Sequence, residues 1–413
     1  MGSLRRRIGP ALAVVLCSLL FFAFCTSARA SGATLKPLYD GRRWFELRDS
    51  VEKQNVSAFY LGVVACAFND LRRCEKKLRV AFNSAPRSDE AIEAHRILAS
   101  AYFTHGKYSK ALAQVDAILA LRPTDPDALS DRPVFAVLAK FPDQEVVRRH
   151  TTVELRDGGL PFSINGVQAT YWFDTGAELS VLTESEAQRF GLRVQPAPVK
   201  VGDVSGTQVN TRIAVAEGLS IGAVQLKHVA FLVLPDNQPP FNEQSLGSRG
   251  LIGMPVLLAL EKFAWGVDKK FEIGPESPNK STPHADICFD GNHPVVQVQY
   301  DNHTLAFTLD TGASNTDLYP PFAAGFPELI HSAAKTDSYK MEGVGGAKYV
   351  EAATLESLKF NIGRFPVTLK SAGVLLKPTA ESSKFFAGNL GIDLLQEAHK
   401  TTFDFKNMAL SLQ

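Results

Sequence analysis

The chain has 413 residues, a formal net charge of +1, and a composition of 45% hydrophobic and 21% charged residues. This length exceeds what one ordinary hydrophobic core supports, so it predicts two or three domains. A nearly neutral chain has no strong field to attract nucleic acid or an acidic membrane surface, and both are set aside as partners.

The first thirty residues have the pattern of a secretory signal peptide. Arg5-Arg6-Arg7 is basic, residues 11–25 form an apolar run, and Ala28-Arg29-Ala30 is a small-x-small cleavage site. We therefore predict a signal peptide over residues 1–30 and an exported protein, either periplasmic or secreted. The apolar run is shorter than the roughly 20 residues of a membrane span, so an uncleaved membrane anchor is the less favoured alternative.

Residues 31–128 are predicted to form an all-α domain of helical hairpins. Apolar residues recur at helical spacing, and Pro86 and Pro123 each follow a pair of such segments. The two pairs resemble tetratricopeptide repeats, with an ordinary helical hairpin domain as the alternative. The matching positions are Leu61-Gly62, Cys74, Leu78, Ala81 and Pro86 in the first pair, and Leu98-Ala99, Tyr102, Gly106, Tyr108, Ala111 and Pro123 in the second.

Three cysteines remain after removal of the predicted signal peptide: Cys66, Cys74 and Cys288. In an exported protein, a closely spaced pair is a disulfide candidate. Cys66 and Cys74 would lie on facing helices of the first hairpin, which makes a bridge between them geometrically reasonable. Cys288 would remain unpaired.

From about Thr151 the pattern changes to short alternating strands separated by turn residues. Asn165-Gly166 lies between two apolar runs and predicts a hairpin with a type I′ turn. The all-β pattern continues to the C terminus, with a Pro/Ser/Lys-rich break at residues 275–283. The predicted organisation is a linker over 129–150, a first β lobe over 151–276, an inter-lobe linker over 277–292 and a second β lobe over 293–413.

The two β lobes carry the same motifs at the same spacing. Asp174-Thr175-Gly176-Ala177 begins eight residues after the turn residue Gly166, and Asp310-Thr311-Gly312-Ala313 begins eight residues after Asn302. One Asp-Thr-Gly sequence is a weak signal, because a turn after a strand explains it equally well. Two copies in matching contexts indicate an internal repeat. A glycine element follows each motif after about eighty residues, at Leu251-Ile252-Gly253 and Asn389-Leu390-Gly391.

On these motifs, residues 151–413 resemble the aspartic peptidases of the pepsin and retroviral-protease clan. The Asp-Thr-Gly-Ala form and the modest lobe size are more similar to the retroviral branch, whose members are homodimers. Two lobes in one chain are the pepsin-like arrangement. The resemblance implies an all-β bilobal acid-protease fold and an aspartic endopeptidase with Asp174 and Asp310 as catalytic residues. It also implies that Thr175 and Thr311 join the two motifs by hydrogen bonds at the lobe interface.

A pair of aspartates suits hydrolysis that uses an activated water. Two close carboxylates cannot both ionise easily, so the pair holds one shared proton. The ionised member can accept a proton from water, and the protonated member can polarise the scissile carbonyl. The sequence does not assign these two roles to Asp174 and Asp310 individually.

The neighbouring glycines have predicted supporting roles. Gly176 and Gly312 are expected to permit the tight turn that presents each carboxylate. Gly253 and Gly391 are expected to pack behind the two loops. Asn389 departs from the hydrophobic residue that the family pattern has at this position.

Two alanines influence the expected working pH. Ala177 and Ala313 stand where pepsin-like sites often have a hydroxyl that donates a hydrogen bond to the carboxylate and lowers its pKa. Alanine cannot donate this bond, so a weakly acidic to near-neutral optimum is expected. Asp393 is expected to be a helix cap, and Asp317 a surface or turn residue.

Glycine-rich segments predict one mobile flap hairpin in each lobe, with plain surface hairpins as the alternative. The flap candidates are Gly202 and Gly206 in lobe one, and Gly343, Gly345 and Gly346 in lobe two. No metal or other cofactor is predicted, because the histidines are scattered and no His-x-x-x-His or Cys-x-x-Cys pair occurs.

The expected partner of the β lobes is a protein or peptide substrate, and the peptidase unit is expected to be monomeric. A protein that binds peptides without cleaving them is the alternative function. The helical region is expected to bind a protein partner, since repeats of this kind present a concave groove. It could instead be a cleaved pro-segment that masks the cleft.

Overall fold

The computed structural model of the chain describes residues 32–53, 56–202, 208–275, 284–343 and 346–413. The predicted signal peptide lies outside these ranges. Within them, no helix has the length and apolar character needed to cross a membrane. An all-α domain comes first along the chain, and an all-β region of two lobes follows it.

The all-α domain is a series of antiparallel helices around one apolar core. Asp70, Ser88 and Asp125 each accept a hydrogen bond from a backbone N–H in the first turn of the following helix, which satisfies a donor that the helix leaves free. The helices are α1 (Gly32–Asp40), α2 (Trp44–Glu52), α3 (Ala58–Ala67), α4 (Leu71–Ser84), α5 (Asp89–Thr104), α6 (Tyr108–Leu121) and α7 (Pro126–Leu138).

Helix α7 occupies part of the segment that was predicted to be a linker over 129–150, so this prediction is wrong for residues 129–138. Pro133 lies inside the helix, and an internal proline usually argues against helical structure. Burial of Phe135 and Leu138, together with contact with α6, overrides that local preference.

Cys66 on α3 and Cys74 on α4 form a disulfide, with their Cα atoms 4.9 Å apart. The bridge joins the two helices of the first hairpin. Cys288 is a buried free thiol. The helix pairs α3–α4 and α5–α6 have the connectivity of a helical-repeat domain, and their relation to tetratricopeptide repeats stays a prediction.

Lobe one is built mainly on a ten-stranded sheet. Asn165 and Gly166 have φ angles of 51° and 79°, as a type I′ hairpin requires. The strands are β1 (Glu145–Val147), β2 (Thr151–Glu154), β3 (Leu160–Ile164), β4 (Val167–Phe173), β5 (Ser180–Thr183), β6 (Val194–Gly202), β7 (Gln208–Ala216), β8 (Leu219–Ile221), β9 (Val224–Lys227), β10 (Val229–Leu234), β11 (Gly250–Ile252), β12 (Lys262–Gly266) and β13 (Lys270–Ile273), with helices α8 (Glu184–Arg189) and α9 (Met254–Ala259). The sheet order is β1-β9-β8-β3-β4-β11-β5-β10-β7-β6.

Lobe two repeats this plan, including the turn at Asp301-Asn302, where both φ angles are positive. Its strands are β14 (His284–Asp290), β15 (His293–Tyr300), β16 (His303–Leu309), β17 (Asp317–Leu318), β18 (Ala334–Gly343), β19 (Gly346–Ile362), β20 (Phe365–Leu375), β21 (Gly388–Leu390), β22 (Lys400–Asp404) and β23 (Ala409–Leu412), and its helices are α10 (Pro320–Gly325), α11 (Pro327–Ser332) and α12 (Ile392–Leu395).

Strands from both lobes form one continuous sheet beneath the site, in the order β14-β23-β22-β12-β13-β2. Phe263 on β12 pairs with Phe403 on β22, and their rings stack with centroids 5.2 Å apart. The predicted inter-lobe linker over 277–292 is therefore wrong for residues 284–290, which form β14 in this sheet. The part of that linker before residue 284 lies outside the described residues.

The all-α domain contacts both lobes. The Arg42 guanidinium donates to both carboxylate oxygens of Asp290 in lobe two at 2.7 Å. In lobe one, α7 contacts strands β6 and β7, and α5 contacts α9. Because Asp290 is buried, loss of its cationic partner would leave an unpaired charge at the interface.

Candidate active site

The two Asp-Thr-Gly-Ala loops leave the ends of β4 and β16 and are held in the same way. The Asp174 N–H donates to the Ile252 carbonyl oxygen at 2.8 Å, and the Asp310 N–H donates to that of Leu390 at 3.0 Å. In each lobe the strand that carries the glycine element, β11 or β21, runs parallel to the strand before the aspartate. Equivalent loops therefore start from equivalent points of the two lobes.

The glycine elements pack directly behind the loops. Ser180 Oγ accepts a hydrogen bond from the Gly253 N–H at 3.0 Å, and Thr316 Oγ1 accepts one from the Gly391 N–H at 2.9 Å. A Cβ atom on Gly253 would lie 2.5 Å from the Leu179 carbonyl carbon, and the equivalent approach at Gly391 is 2.7 Å. Any larger residue at these two positions would displace the loop.

Thr175 and Thr311 connect the lobes through a symmetric set of buried hydrogen bonds. The backbone N–H of each threonine donates to the hydroxyl oxygen of the other at 3.1 Å. The Thr175 hydroxyl donates to the Leu309 carbonyl oxygen, and the Thr311 hydroxyl donates to that of Phe173, both at 2.8 Å. Each loop thus supplies hydrogen-bond partners for the threonine of the other loop.

Gly176 and Gly312 have a different role from the one that the sequence suggested. Neither residue has a positive φ angle, so neither is required for a left-handed turn. Instead, a Cβ atom on Gly176 would lie 2.6 Å from Cγ of Asp310, and a Cβ atom on Gly312 would collide with the carboxyl group of Asp174. The glycines allow each carboxyl group to approach the opposite loop.

Asp174 and Asp310 meet at the lobe interface, where each carboxyl group lies against the glycine of the opposite loop. Asp174 Oδ1 accepts from the Gly176 N–H at 2.7 Å, and Asp310 Oδ1 accepts from the N–H groups of Gly312 and Ala313 at 2.9 and 3.1 Å. Burial, followed by the negative charge of Asp310, raises the pKa of the Asp174 carboxyl well above its usual value. The arrangement favours one proton shared by the pair.

Asn389 is a site residue whose contact was not predicted. Its amide nitrogen lies 3.4 Å from Asp310 Oδ2, and its amide oxygen accepts a hydrogen bond from the Thr308 hydroxyl at 2.7 Å. The Thr308 contact orients the nitrogen of the amide toward the carboxylate. Lobe one has Leu251 at the equivalent position, so Asn389 makes the surroundings of the two aspartates unequal. Its departure from the family pattern was the available signal.

The flap candidates lie at the ends of two hairpins. Gly202 ends β6 before β7, whereas Gly343 ends β18 and Gly346 begins β19. Gly206 and Gly345 lie outside the described residues. The Tyr339 hydroxyl on β18 donates to Asp317 Oδ1 at 2.5 Å, which connects the lobe-two hairpin to the strand that follows the Asp310 loop. A flap function for both hairpins stays a prediction.

Two expectations about neighbouring aspartates are corrected. Asp393 is not a cap of α12, because its carboxylate accepts hydrogen bonds from the N–H and hydroxyl of Thr316 at 3.0 and 2.7 Å. Asp317 is not an exposed turn residue, since it lies on β17, half-buried and bonded to Tyr339. Both contacts join residues that are far apart in the chain.

One family model and one solved structure are similar to parts of this chain. Residues 160–256 match a family model described as aspartyl protease, and this range contains the first motif and Gly253. A retropepsin-like aspartic protease from Rickettsia conorii, known from its crystal structure, matches with 20% identity over 33% of this chain and 96% of that chain, with a TM-score of 0.24. None of the curated proteins matches the chain.

The raised pKa of Asp174 predicts a pH-dependent effect of Asp174→Asn on stability. Folding raises the pKa of the Asp174 carboxyl above its unfolded value of 3.8. The folded protein therefore loses stability as the pH rises above 3.8. The asparagine variant does not pay this penalty, so its free energy of unfolding should exceed that of the wild type near pH 7. The two should converge below about pH 4. Urea denaturation across this pH range measures the difference, with Asp301→Asn in an exposed turn as the control. A difference that stays constant with pH would contradict the assignment.

Proposed function

We propose that this chain, whose first β lobe is of the aspartyl protease family, is an aspartic endopeptidase that cleaves proteins or peptides between its two β lobes. The observation that supports this most strongly is the symmetric threonine network. It holds Asp174 and Asp310, from different lobes, close together as one pair. Such a pair provides both a proton acceptor and a proton donor without a metal or a covalent nucleophile.

The unequal surroundings support a division of roles within the pair. Asp310, which accepts two backbone hydrogen bonds and faces the Asn389 amide, is the ionised member that takes a proton from the attacking water. Asp174 donates its proton to the carbonyl oxygen of the scissile bond as water oxygen bonds to the carbonyl carbon. The tetrahedral intermediate then returns a proton to Asp174, and Asp310 protonates the leaving nitrogen as the C–N bond breaks. Both carboxyl groups are restored for the next cycle.

The proposal predicts that both aspartates are needed for cleavage. Asp174→Asn and Asp310→Asn should each lower the rate at which an unfolded protein mixture is cleaved by at least about a hundredfold, because each removes one partner in proton transfer. The measurement is peptide release followed by mass spectrometry, with Asp157→Asn in an exposed turn as the folded control. Undiminished cleavage by either variant would overturn the enzymatic proposal. Peptide binding by a wild-type chain that cleaves nothing would favour the non-cleaving alternative.

The Asn389 contact predicts a shift in the pH dependence of cleavage. An amide that donates to a carboxylate favours its ionised form, so Asn389→Leu should move the acidic limb of the pH profile of kcat/KM to higher pH. Leucine reproduces the residue that lobe one has at this position, which limits disturbance of the core. The alkaline limb, governed by the other proton of the pair, serves as the internal control. An acidic limb that does not move would exclude this role for Asn389.

We also infer that the chain is exported and that the all-α domain stays attached to the mature peptidase. The Cys66–Cys74 disulfide supports export, since such bridges persist in oxidising compartments. The ion pair of Arg42 with the buried Asp290, and the contacts of α7 with β6 and β7, support retention of the domain, because its loss would expose buried groups on both lobes. A domain that remains attached suits the recruitment of a protein partner better than a pro-segment does.

These inferences predict the N terminus of the mature protein. Edman sequencing of the protein recovered from an exporting host should give a sequence that begins at Ser31, after removal of the signal peptide. A membrane-bound chain that retains Met1 would indicate an uncleaved anchor. A mature chain that begins near Thr151 would show that the helices are a pro-segment.

A further inference from the structure

The internal symmetry of the lobes pairs Asp317 with Val181. Each residue lies seven positions after the aspartate of its own lobe, on β17 or β5. Val181 pairs with Leu251 across the antiparallel neighbour β11, and Asp317 pairs in the same way with Asn389 on β21. The two residues therefore occupy equivalent places, with an apolar pair in one lobe and a polar pair in the other.

The same difference extends to the next strand. Val181 pairs with Leu232 across β10, whereas Asp317 pairs with Gly373 across β20. A Cβ atom on Gly373 would collide with the ring of Tyr339, so the missing side chain makes room for this tyrosine. At this place lobe one thus has a row of three apolar side chains, those of Leu232, Val181 and Leu251. Lobe two presents a carboxylate, an amide and a tyrosine hydroxyl.

Asp317 lies between the catalytic pair and the lobe-two hairpin. Cross-strand partners share one face of a sheet, so Asp317 is on the same face as Asn389, whose amide lies 3.4 Å from Asp310. On the other side, the Tyr339 hydroxyl of β18 donates to Asp317 Oδ1. A peptide held over the catalytic pair would therefore place one side chain beside Asp317.

Within the described part of the chain, no cationic side chain pairs with the half-buried carboxylate of Asp317. Tyr339 is the donor that contacts it there, and the nearest charge that acts on it is the negative charge of Asp393. Burial raises the pKa of the Asp317 carboxyl, whereas the Tyr339 hydrogen bond favours its ionised form. A half-buried carboxylate in this setting gains most from an ammonium or guanidinium group that enters the pocket.

We propose that Asp317 and Tyr339 form an acidic specificity pocket that selects substrates with an arginine or lysine side chain on the lobe-two side of the scissile bond. The equivalent place in lobe one holds the apolar side chains of Val181, Leu232 and Leu251, which offer no partner to a charged group. This inference rests on the proposed peptidase function, but it adds a substrate class that the catalytic pair alone does not define. The tyrosine positions the carboxylate and leaves one of its oxygens, Oδ2, for the substrate.

A peptide library that varies the residues around the scissile bond tests the proposal. Wild-type protein should prefer arginine or lysine at one fixed position over norleucine by about ten- to a hundredfold in kcat/KM, as expected for a charged hydrogen-bonded contact.

Asp317→Val, which copies lobe one, should abolish this preference and favour norleucine. Asp317→Asn keeps the size of the side chain, and this variant should also show no preference for a basic residue. It serves as the test if Asp317→Val does not fold. Tyr339→Phe keeps the ring over Gly373 and should retain a reduced preference.

The same experiment separates failure of the pocket from failure of the peptidase proposal. Cleavage by the wild type with no preference for a basic residue at any position, or with a preference that Asp317→Asn leaves intact, would overturn the pocket assignment alone. Binding of matched arginine and norleucine peptides to Asp174→Asn, measured by fluorescence anisotropy, tests the pocket without turnover. Tighter binding of the arginine peptide that is lost with added Asp317→Asn supports the pocket, and equal binding of both peptides contradicts it.

Discussion

The hydrogen bonds that Thr175 and Thr311 exchange across the lobe boundary are the constraint on which the site depends. Both side chains are buried, so each donor and acceptor needs a protein partner, and the opposite loop supplies it. The geometry of these bonds fixes the distance between the loops closely. The Asp174 carboxyl group then has to meet Asp310, although burial and the charge of Asp310 both oppose its ionisation. Two carboxyl groups held in such contact favour a proton shared between them.

Much of this arrangement could be predicted because local chemistry determines it and because it occurs twice. The turn at Asn165-Gly166 needs residues that tolerate positive φ angles, and an apolar run must flank it on each side. The interval from this turn to Asp174 is the length of one strand, and the interval recurs in lobe two. The family match to residues 160–256 lies on these same elements. Because the motif occurs twice in matching contexts, the sequence predicts a paired site, which one Asp-Thr-Gly motif alone does not.

The remaining features arise from contacts between distant segments, which spacing along the chain does not reveal. In the sequence, Gly176 looks like a glycine that a turn requires. In the structure, a side chain at this position would collide with the carboxyl group of Asp310 from the other lobe. Helix α7 contains Pro133 and forms because its apolar face is buried. Asn389 and Asp317 pair with each other across two short strands, and either residue alone looks like a departure from an apolar pattern. Comparison of the two lobes position by position would have indicated both.

The continuous sheet beneath the site has a consequence for how the site assembles. In a homodimer, the two halves of an active site exist together only above the concentration at which the subunits associate. Here β12 and β22 pair within one chain, and the stacked rings of Phe263 and Phe403 lie at their junction. Assembly of the aspartate pair is therefore part of the folding of one chain. A single molecule far from any other copy of itself carries a complete site.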